Sequence, residues 1–199
     1  MNNVLIITAS PHPDGPTGQI TRKVIGSIGD KVNILHFDCY KTPPKPCIDC
    51  GHCKTSANCA FSDLDIFYKN FEEADAVLFI FPVYNLSFPA PLKALVDRFQ
   101  VYYNARFFRN INPAVKKRKK CTVITVSGGE GERAKKVITA QLIQLFSVIN
   151  CQLSEVRCFS NTDQKWNVDA IDFPALNDLI EIDISLRDIK ESDIMPLGI

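Results

Sequence analysis

The sequence predicts an α/β fold, one doubly wound five-stranded parallel sheet, from two observations. Short apolar runs alternate with stretches whose apolar residues recur at helical spacing. The loops after the first, third and fourth runs have unusual compositions, and those are the places where such sheets carry ligands. A chain of 199 residues with 46% apolar content suits a single domain, residues 1–199, with a sizeable core.

The elements follow in order. Residues 4–8 form an apolar run that ends in Ser10-Pro-His-Pro-Asp-Gly-Pro-Thr-Gly, a turn-rich loop. Ile20, Val24 and Ile28 then recur every four residues, as on one face of a helix. Residues 32–37 alternate and read as a second strand, and residues 39–62 form a long Pro- and Cys-rich loop. Ser62 and Asp65 make a Ser-x-x-Asp helix start, followed by the stripe Leu64, Phe67 and Phe71. Residues 76–81 are continuously apolar, as in a strand covered on both faces. Pro91 opens the next helix, with Leu92, Leu95 and Phe99 as its stripe. Residues 123–126 give a fourth strand, Ile138, Leu142, Leu145 and Ile149 a long helix, and residues 153–159 a fifth strand. Leu176, Leu179, Ile180 and Leu186 suggest a closing helix. Right-handed crossovers reduce these elements to a doubly wound topology.

Composition narrows the function classes. Lysine plus arginine number 23 and aspartate plus glutamate 22, so charge offers no reason to expect a nucleic-acid or membrane partner. The N-terminus lacks a basic region, and no apolar run approaches the ~18 residues of a membrane span. A cytoplasmic protein is expected. In that compartment eight cysteines point to metal or redox chemistry rather than disulfides.

The first loop joins a strand to a helix N-terminus, where unpaired N–H groups and the helix dipole favour an anion. Ser10 and Thr17 add hydroxyls, His12 a further donor, and Gly15 and Gly18 allow close backbone approach. An ordinary βα turn is the plainer alternative, and neither G-x-G-x-x-G nor a Walker A pattern is present. The loop Pro82-Val-Tyr-Asn-Leu-Ser-Phe-Pro can lay main-chain donors and Tyr84 along a flat heterocycle, or its aromatics can cap the core. Ser127-Gly-Gly-Glu-Gly has no bulky side chain before Glu130, which leaves N–H groups for a ring carbonyl, or makes a simple turn.

Cys47, Cys50, Cys53 and Cys59 are spaced C-x2-C-x2-C-x5-C. Three steps of three residues and a nearby fourth cysteine suit the thiolates of a [4Fe–4S] cluster better than paired zinc knuckles; reduced, empty cysteines are the remaining reading. His52 lies inside the same loop. Cys39, Cys121, Cys151 and Cys158 lie in or beside strands and read as buried small residues. The basic run 116–120 reads as a solvated turn. Tyr102, Tyr103, Phe107 and Phe108 cover a site, meet a second subunit or pack locally, and Trp166 is a candidate wall of the site.

Together the motifs resemble the NADPH-dependent FMN reductase superfamily, flavodoxin-like proteins, and within it the iron–sulfur flavoproteins. Phe81-Pro-Val-Tyr and Pro91-Leu-Lys-Ala-Leu-Val-Asp-Arg-Phe look like the family's S-P-V-Y loop and L-K-A-L-x-D-R-F helix. Residues 10–17 resemble its S-P-R-x-x-G-N-T phosphate loop, with His12 where the family has arginine and Pro16 where it has asparagine. The resemblance implies strand order 2-1-3-4-5, FMN, and a homodimer or homotetramer. Carried over by position, Ser10, His12, Thr17, Gly18 and Gln19 would hold the phosphate. Pro82, Val83, Tyr84 and Asn85, with Ser127, Gly128 and Gly129, would hold the ring. It implies an NAD(P)H-dependent FMN oxidoreductase passing electrons to an acceptor. The alternative is an iron–sulfur flavoprotein electron carrier that uses a [4Fe–4S] cluster and FMN with a protein partner. The flavin would do the chemistry, so no catalytic side chain is named.

Overall fold

The computed structural model describes residues 1–28, 31–164 and 166–171. The expected closing helix at Leu176 to Leu186 lies outside the described residues. The elements run β1 (Asn3–Thr8), α1 (Pro16–Ile28), β2 (Asn33–Asp38), α2 (His52–Thr55), α3 (Asp65–Glu73), β3 (Ala76–Pro82), α4 (Ala90–Arg98), α5 (Gln100–Phe107), β4 (Lys119–Val126), α6 (Glu132–Val148) and β5 (Cys151–Phe159). All strand pairs are parallel and the sheet order is β2-β1-β3-β4-β5. The expected doubly wound sheet is therefore present.

Burial explains why the strands read as they do. The central strands β1, β3 and β4 are covered on both faces and are nearly continuously buried, whereas β2 and β5 at the edges are only partly so. Successive residues of β1 serve opposite faces: Val4 and Ile6 pack with Ile20, Val24 and Ile28 of α1. Leu5 and Ile7 pack in the larger core, with side chains of α3, α4 and α6. An aromatic cluster fills that second core, with the Phe37–Phe67 ring centroids 4.8 Å apart and Phe71–Phe99 5.1 Å apart. Tyr102 is buried in the same core, while Tyr103 and Phe107 of α5, and Phe108 just after it, remain exposed. Among the described residues no helix is long and apolar enough to cross a membrane.

Two local expectations are corrected. Ser62 does not cap α3: its N-cap is Leu64, with no side-chain capping bond. The neighbouring carboxylate, Asp63, turns instead to the Lys45 N–H and the Arg98 guanidinium. The basic run 116–120 is not wholly a solvated turn, because β4 begins at Lys119, which is fully buried. Its Nζ donates to the carbonyls of Glu72, Ala74 and Lys117, each at 3.1 Å. Glu72 and Ala74 lie at the C-terminus of α3, where carbonyls lack helical partners and the dipole favours a cation. Lys117 keeps a partly exposed ion pair with Asp75 at 2.6 Å.

Burial, with the nearby Lys117 charge, pulls the Lys119 ammonium down to about 8. The unfolded chain therefore holds a proton on this residue between about pH 8 and 10.5 that the folded chain has released. Its contribution raises stability as pH climbs through that window. Urea unfolding at pH 7.5 to 10.5 should show this rise in the wild-type chain and a flatter profile in Lys119→Met; parallel profiles would refute it.

Candidate functional site

Parallel strands bring every β-to-α loop to one edge, and main-chain bonds lace that edge together. The Ala9 N–H donates to Ile80 O at 3.2 Å, Val83 N–H to Val126 O at 2.8 Å, and Ser127 N–H to Phe159 O at 2.8 Å. Residues 10–19, 82–87 and 127–131 therefore leave the same rim. The first two flank the gap between β1 and β3, where the connections switch direction along the sheet.

The first loop is shaped around Gly18. A Cβ there would stand 1.8 Å from Pro13 O, so only glycine lets the loop fold back on α1. Pro16 is the first residue of α1, a position where its missing N–H removes no helical bond. Among the described residues the Thr17 and Gly18 N–H groups have no protein acceptor, while Gln19 N–H reaches Gly15 O at 3.0 Å. Two free donors stand at the positive end of a 13-residue helix, an arrangement whose chemistry suits an anion. Thr17 is buried, Ser10 is half-buried and His12 is exposed, and His12 N–H donates to Ser10 Oγ at 3.3 Å. Gln19 is different in kind. Its Nε2 donates to Asp14 O at 2.9 Å and its Oε1 accepts from Trp166 Nε1 at 2.8 Å, so its side chain holds the loop. Trp166 also meets Phe159 edge-on and lines an open cleft beyond β5.

After β3 the chain makes a tight reversal in which Tyr84 and Ser87 exchange main-chain bonds. The two central residues, Asn85 and Leu86, have φ of 50° and 62°. Asparagine tolerates that left-handed region, whereas leucine is strained in it. The reversal leaves Tyr84 40% exposed at the rim, while Phe88 is buried in the core. After β4, Ser127 is buried and its N–H is already bonded to Phe159. Among the described residues the Gly128 and Gly129 N–H groups have no protein acceptor.

One part of the rim was not singled out in the sequence. Residues 160–163, after β5, fold over the glycine loop. Ser160 Oγ accepts from Gly131 N–H at 3.1 Å, Asn161 N–H donates to Gly129 O at 2.9 Å, and Asp163 N–H donates to Gly128 O at 3.3 Å. A Cβ on Gly128 would meet the Asp163 carboxylate and one on Gly131 the Cys158 sulfur, so a larger residue at either place would have to displace those side chains. The usable signal was positional: a fifth parallel strand delivers its loop to the same edge.

Residues 39–62 leave β2 at this rim and are held by Arg98, only 1% exposed. Its guanidinium donates to Lys45 O at 2.9 Å, Phe61 O at 3.2 Å and Asp63 Oδ1 at 3.0 Å, closing both ends of the loop. Burial alone would raise the Asp63 carboxyl, but the Lys45 N–H and Arg98 outweigh it and hold it below its usual range. Cys47, Cys50, Cys53 and Cys59 line one pocket with Arg98 and Phe61. His52 begins α2 and is not part of that lining. Among the described residues no three potential ligands are close enough to share a single metal ion. Cys39 and Cys121 are fully buried, as expected, and burial pushes the Cys39 thiol up to about 12. Cys151 and Cys158 are only partly buried, because β5 is an edge strand.

Two substitutions probe this frame. Gly18→Ala should destabilise the chain by about 1–3 kcal/mol through overpacking against Pro13, measured by urea unfolding; an unchanged midpoint would refute the close approach. Asp63→Asn should cost roughly 2–4 kcal/mol at neutral pH by leaving Arg98 without its carboxylate. Since the Asp63 carboxyl is depressed, its contribution is present above about pH 4 and lost as pH falls through the folded value. Thermal unfolding at pH 7 and pH 3 should therefore separate Asp63→Asn from wild type at the higher pH and bring them together at the lower.

Comparison with known proteins agrees with this architecture. A family model described as the flavodoxin-like fold matches residues 2–159. An iron-sulfur flavoprotein of Methanocaldococcus jannaschii is 32% identical over 97 residues, 48% of this chain and 50% of the relative. An iron-sulfur flavoprotein of Methanosarcina thermophila is 32% identical over 98 residues, 46% of this chain and 49% of the relative. The chain thus spans about half the length of these curated relatives in the matched regions. Among solved structures, an NAD(P)H:quinone oxidoreductase from Methanothermobacter marburgensis superposes with a TM-score of 0.67 at 16% identity, over 84% of this chain and 87% of the other. An azoreductase from Bacillus anthracis superposes with a TM-score of 0.60 at 19% identity, over 90% of this chain and 93% of the other. At such identities the superpositions speak to the fold. The match over residues 2–159 places this chain in the family of the flavodoxin-like fold.

Proposed function

We propose that residues 1–199 form one FMN-binding domain that acts as an NAD(P)H-dependent oxidoreductase, passing electrons through the flavin to an acceptor. The observation that carries this reading is the meeting of three sequence-distant loops at the switch point, each with unpaired or aromatic groups turned to the rim. The free Thr17 and Gly18 N–H groups fit a terminal phosphate at the N-terminus of α1. The half-buried Ser10 and the exposed His12 add donors from the same loop, and Gln19 fixes the loop's shape through Asp14 and Trp166. Pro82, Val83 and Asn85 set the reversal that presents Tyr84 to a ring face. Ser127 anchors the glycine loop, leaving the Gly128 and Gly129 N–H groups for a ring carbonyl. Bound FMN supplies the redox chemistry, so these residues bind, orient and polarise rather than react. The comparisons support the reading by name: one superposing structure is an NAD(P)H:quinone oxidoreductase, and another is an FMN-dependent NADH-azoreductase from Bacillus anthracis with FMN.

The cysteine pocket favours a second reading, an iron–sulfur flavoprotein electron carrier with a protein redox partner. The donors are right in kind: four free thiols around one pocket beside a buried guanidinium. A cubane is held at four corners, so its ligands stand further apart than those of a single ion, and donors spread around a pocket suit it. Cys47, Cys50, Cys53 and Cys59 would hold a [4Fe–4S] cluster, which supplies single-electron exchange. The names of the two curated relatives support this reading. A cytoplasmic location follows from cysteines used in this way. The exposed Tyr103 and Phe107 side chains of α5, with Phe108 at its end, support assembly as a homodimer or homotetramer.

One preparation tests both readings. Anaerobically purified protein should show a flavin absorption band that bleaches on adding NADH or NADPH. Iron and sulfide with bleaching only by a reduced protein donor would favour the carrier. Absence of flavin after incubation with FMN would overturn both. Tyr84→Ala should weaken FMN by roughly 0.5–1.5 kcal/mol, the worth of an aromatic contact, in a fluorescence-quenching titration; unchanged affinity would remove Tyr84 from the ring site.

A further inference from the structure

The environment of Cys53 differs from that of the other pocket cysteines. It is the one among Cys47, Cys50, Cys53 and Cys59 that is buried. Asn104 of α5, 1% exposed, donates its Nδ2–H to Cys53 Sγ at 3.1 Å. The other end of that amide, Oδ1, is buried and has no partner. Among the described residues no other side chain donates to a pocket sulfur.

The contact is weak while the sulfur is unligated. A thiol sulfur is a weak acceptor, and a buried amide with one end unsatisfied is costly. A metal-bound sulfur is a much better acceptor. A hydrogen bond to an ionised acceptor is roughly twice as strong as a neutral one, and a buried anion needs such a donor. The geometry therefore sets a buried amide donor against the Cys53 sulfur, a contact that strengthens when that sulfur ligates a metal.

We infer that Asn104 is a positioning residue that holds Cys53 as a metal-ligating thiolate and raises the reduction potential of the cluster in the four-cysteine loop. The inference rests on the iron–sulfur reading above. A donor on a ligand sulfur draws charge away from the metal centre, which favours the more negative, reduced state. Asn104 acts through Cys53 alone, by one bond, from a helix that packs on α2. The sequence offered no sign of this, because Asn104 lies 51 positions from its partner.

The test is anaerobic reconstitution of the full chain with iron and sulfide, as wild type, Asn104→Leu and Asn104→Asp. Each is then titrated with reductant, read by visible absorbance and electron paramagnetic resonance. Asn104→Leu should bind iron and titrate at a lower potential, by about tenfold in the reduction equilibrium, or about 59 mV for one electron. Asn104→Asp keeps the side-chain shape but puts an oxygen where the donor was, and should titrate lower still. Cluster-free wild type and Asn104→Leu should unfold at closely similar urea concentrations, which a role confined to stability would not allow. Iron in all three proteins with one common potential overturns the inference and leaves the cluster reading standing. A reconstituted wild type without iron overturns the cluster reading and the inference with it.

Discussion

Five strands running in one direction put five carboxyl ends on one edge, and the rest of the molecule is arranged around that constraint. Loops that begin at residues 10, 82 and 127 have no local reason to meet. They meet because the parallel ladders hold Thr8 beside Ile80, Pro82 beside Val126, and Val126 beside Phe159. Beyond those registers the ladder ends and main-chain donors are left over. A sheet edge of this kind offers N–H groups and helix N-termini to a ligand without needing charged side chains. That agrees with a candidate site composed mostly of backbone, glycine and one tyrosine.

Two buried cations stabilise opposite parts of this arrangement by different means. Arg98 meets a carboxylate and two carbonyls, and closes the cysteine loop against α4. Burial opposes its charge, but Tyr68 and Asp63 outweigh burial and raise it. Lys119 has carbonyl partners around its ammonium, next to the end of α3, and burial lowers it. An opposite charge compensates desolvation more fully than dipoles do, which is why the two respond in opposite directions. The planar guanidinium also spans three acceptors at once, a geometry suited to tying together chain segments far apart in sequence.

Much of this was legible in the sequence where local pattern and tertiary role coincide. The run 76–81 and the stripe Leu92, Leu95, Phe99 are what they look like, since burial on both faces selects continuous apolar residues and burial on one face selects helical spacing. Failures came where a side chain had a distant partner. Ser62 carries a helix-start pattern, yet the segment 62–64 is drawn toward Arg98, so the cap is not formed. Lys119 belongs to a charged run, yet one residue of that run starts a central strand and must point inward. Leu86 is an unfavourable residue for a left-handed turn position; the tight reversal it completes could not be read from its identity.

By itself the sequence determined the fold class, the order of the five strands and the four-cysteine spacing, though not the helices α2 and α5, because periodicity and turn chemistry act over a few residues. Tertiary structure alone decided which groups are unpaired: the Thr17 and Gly18 N–H groups, the Asn104 amide on Cys53, and the loop 160–163 closing over Gly128. Whether a polar group has a partner depends on atoms brought from elsewhere in the chain. Local pattern can place a donor on an element, but only packing decides what it faces.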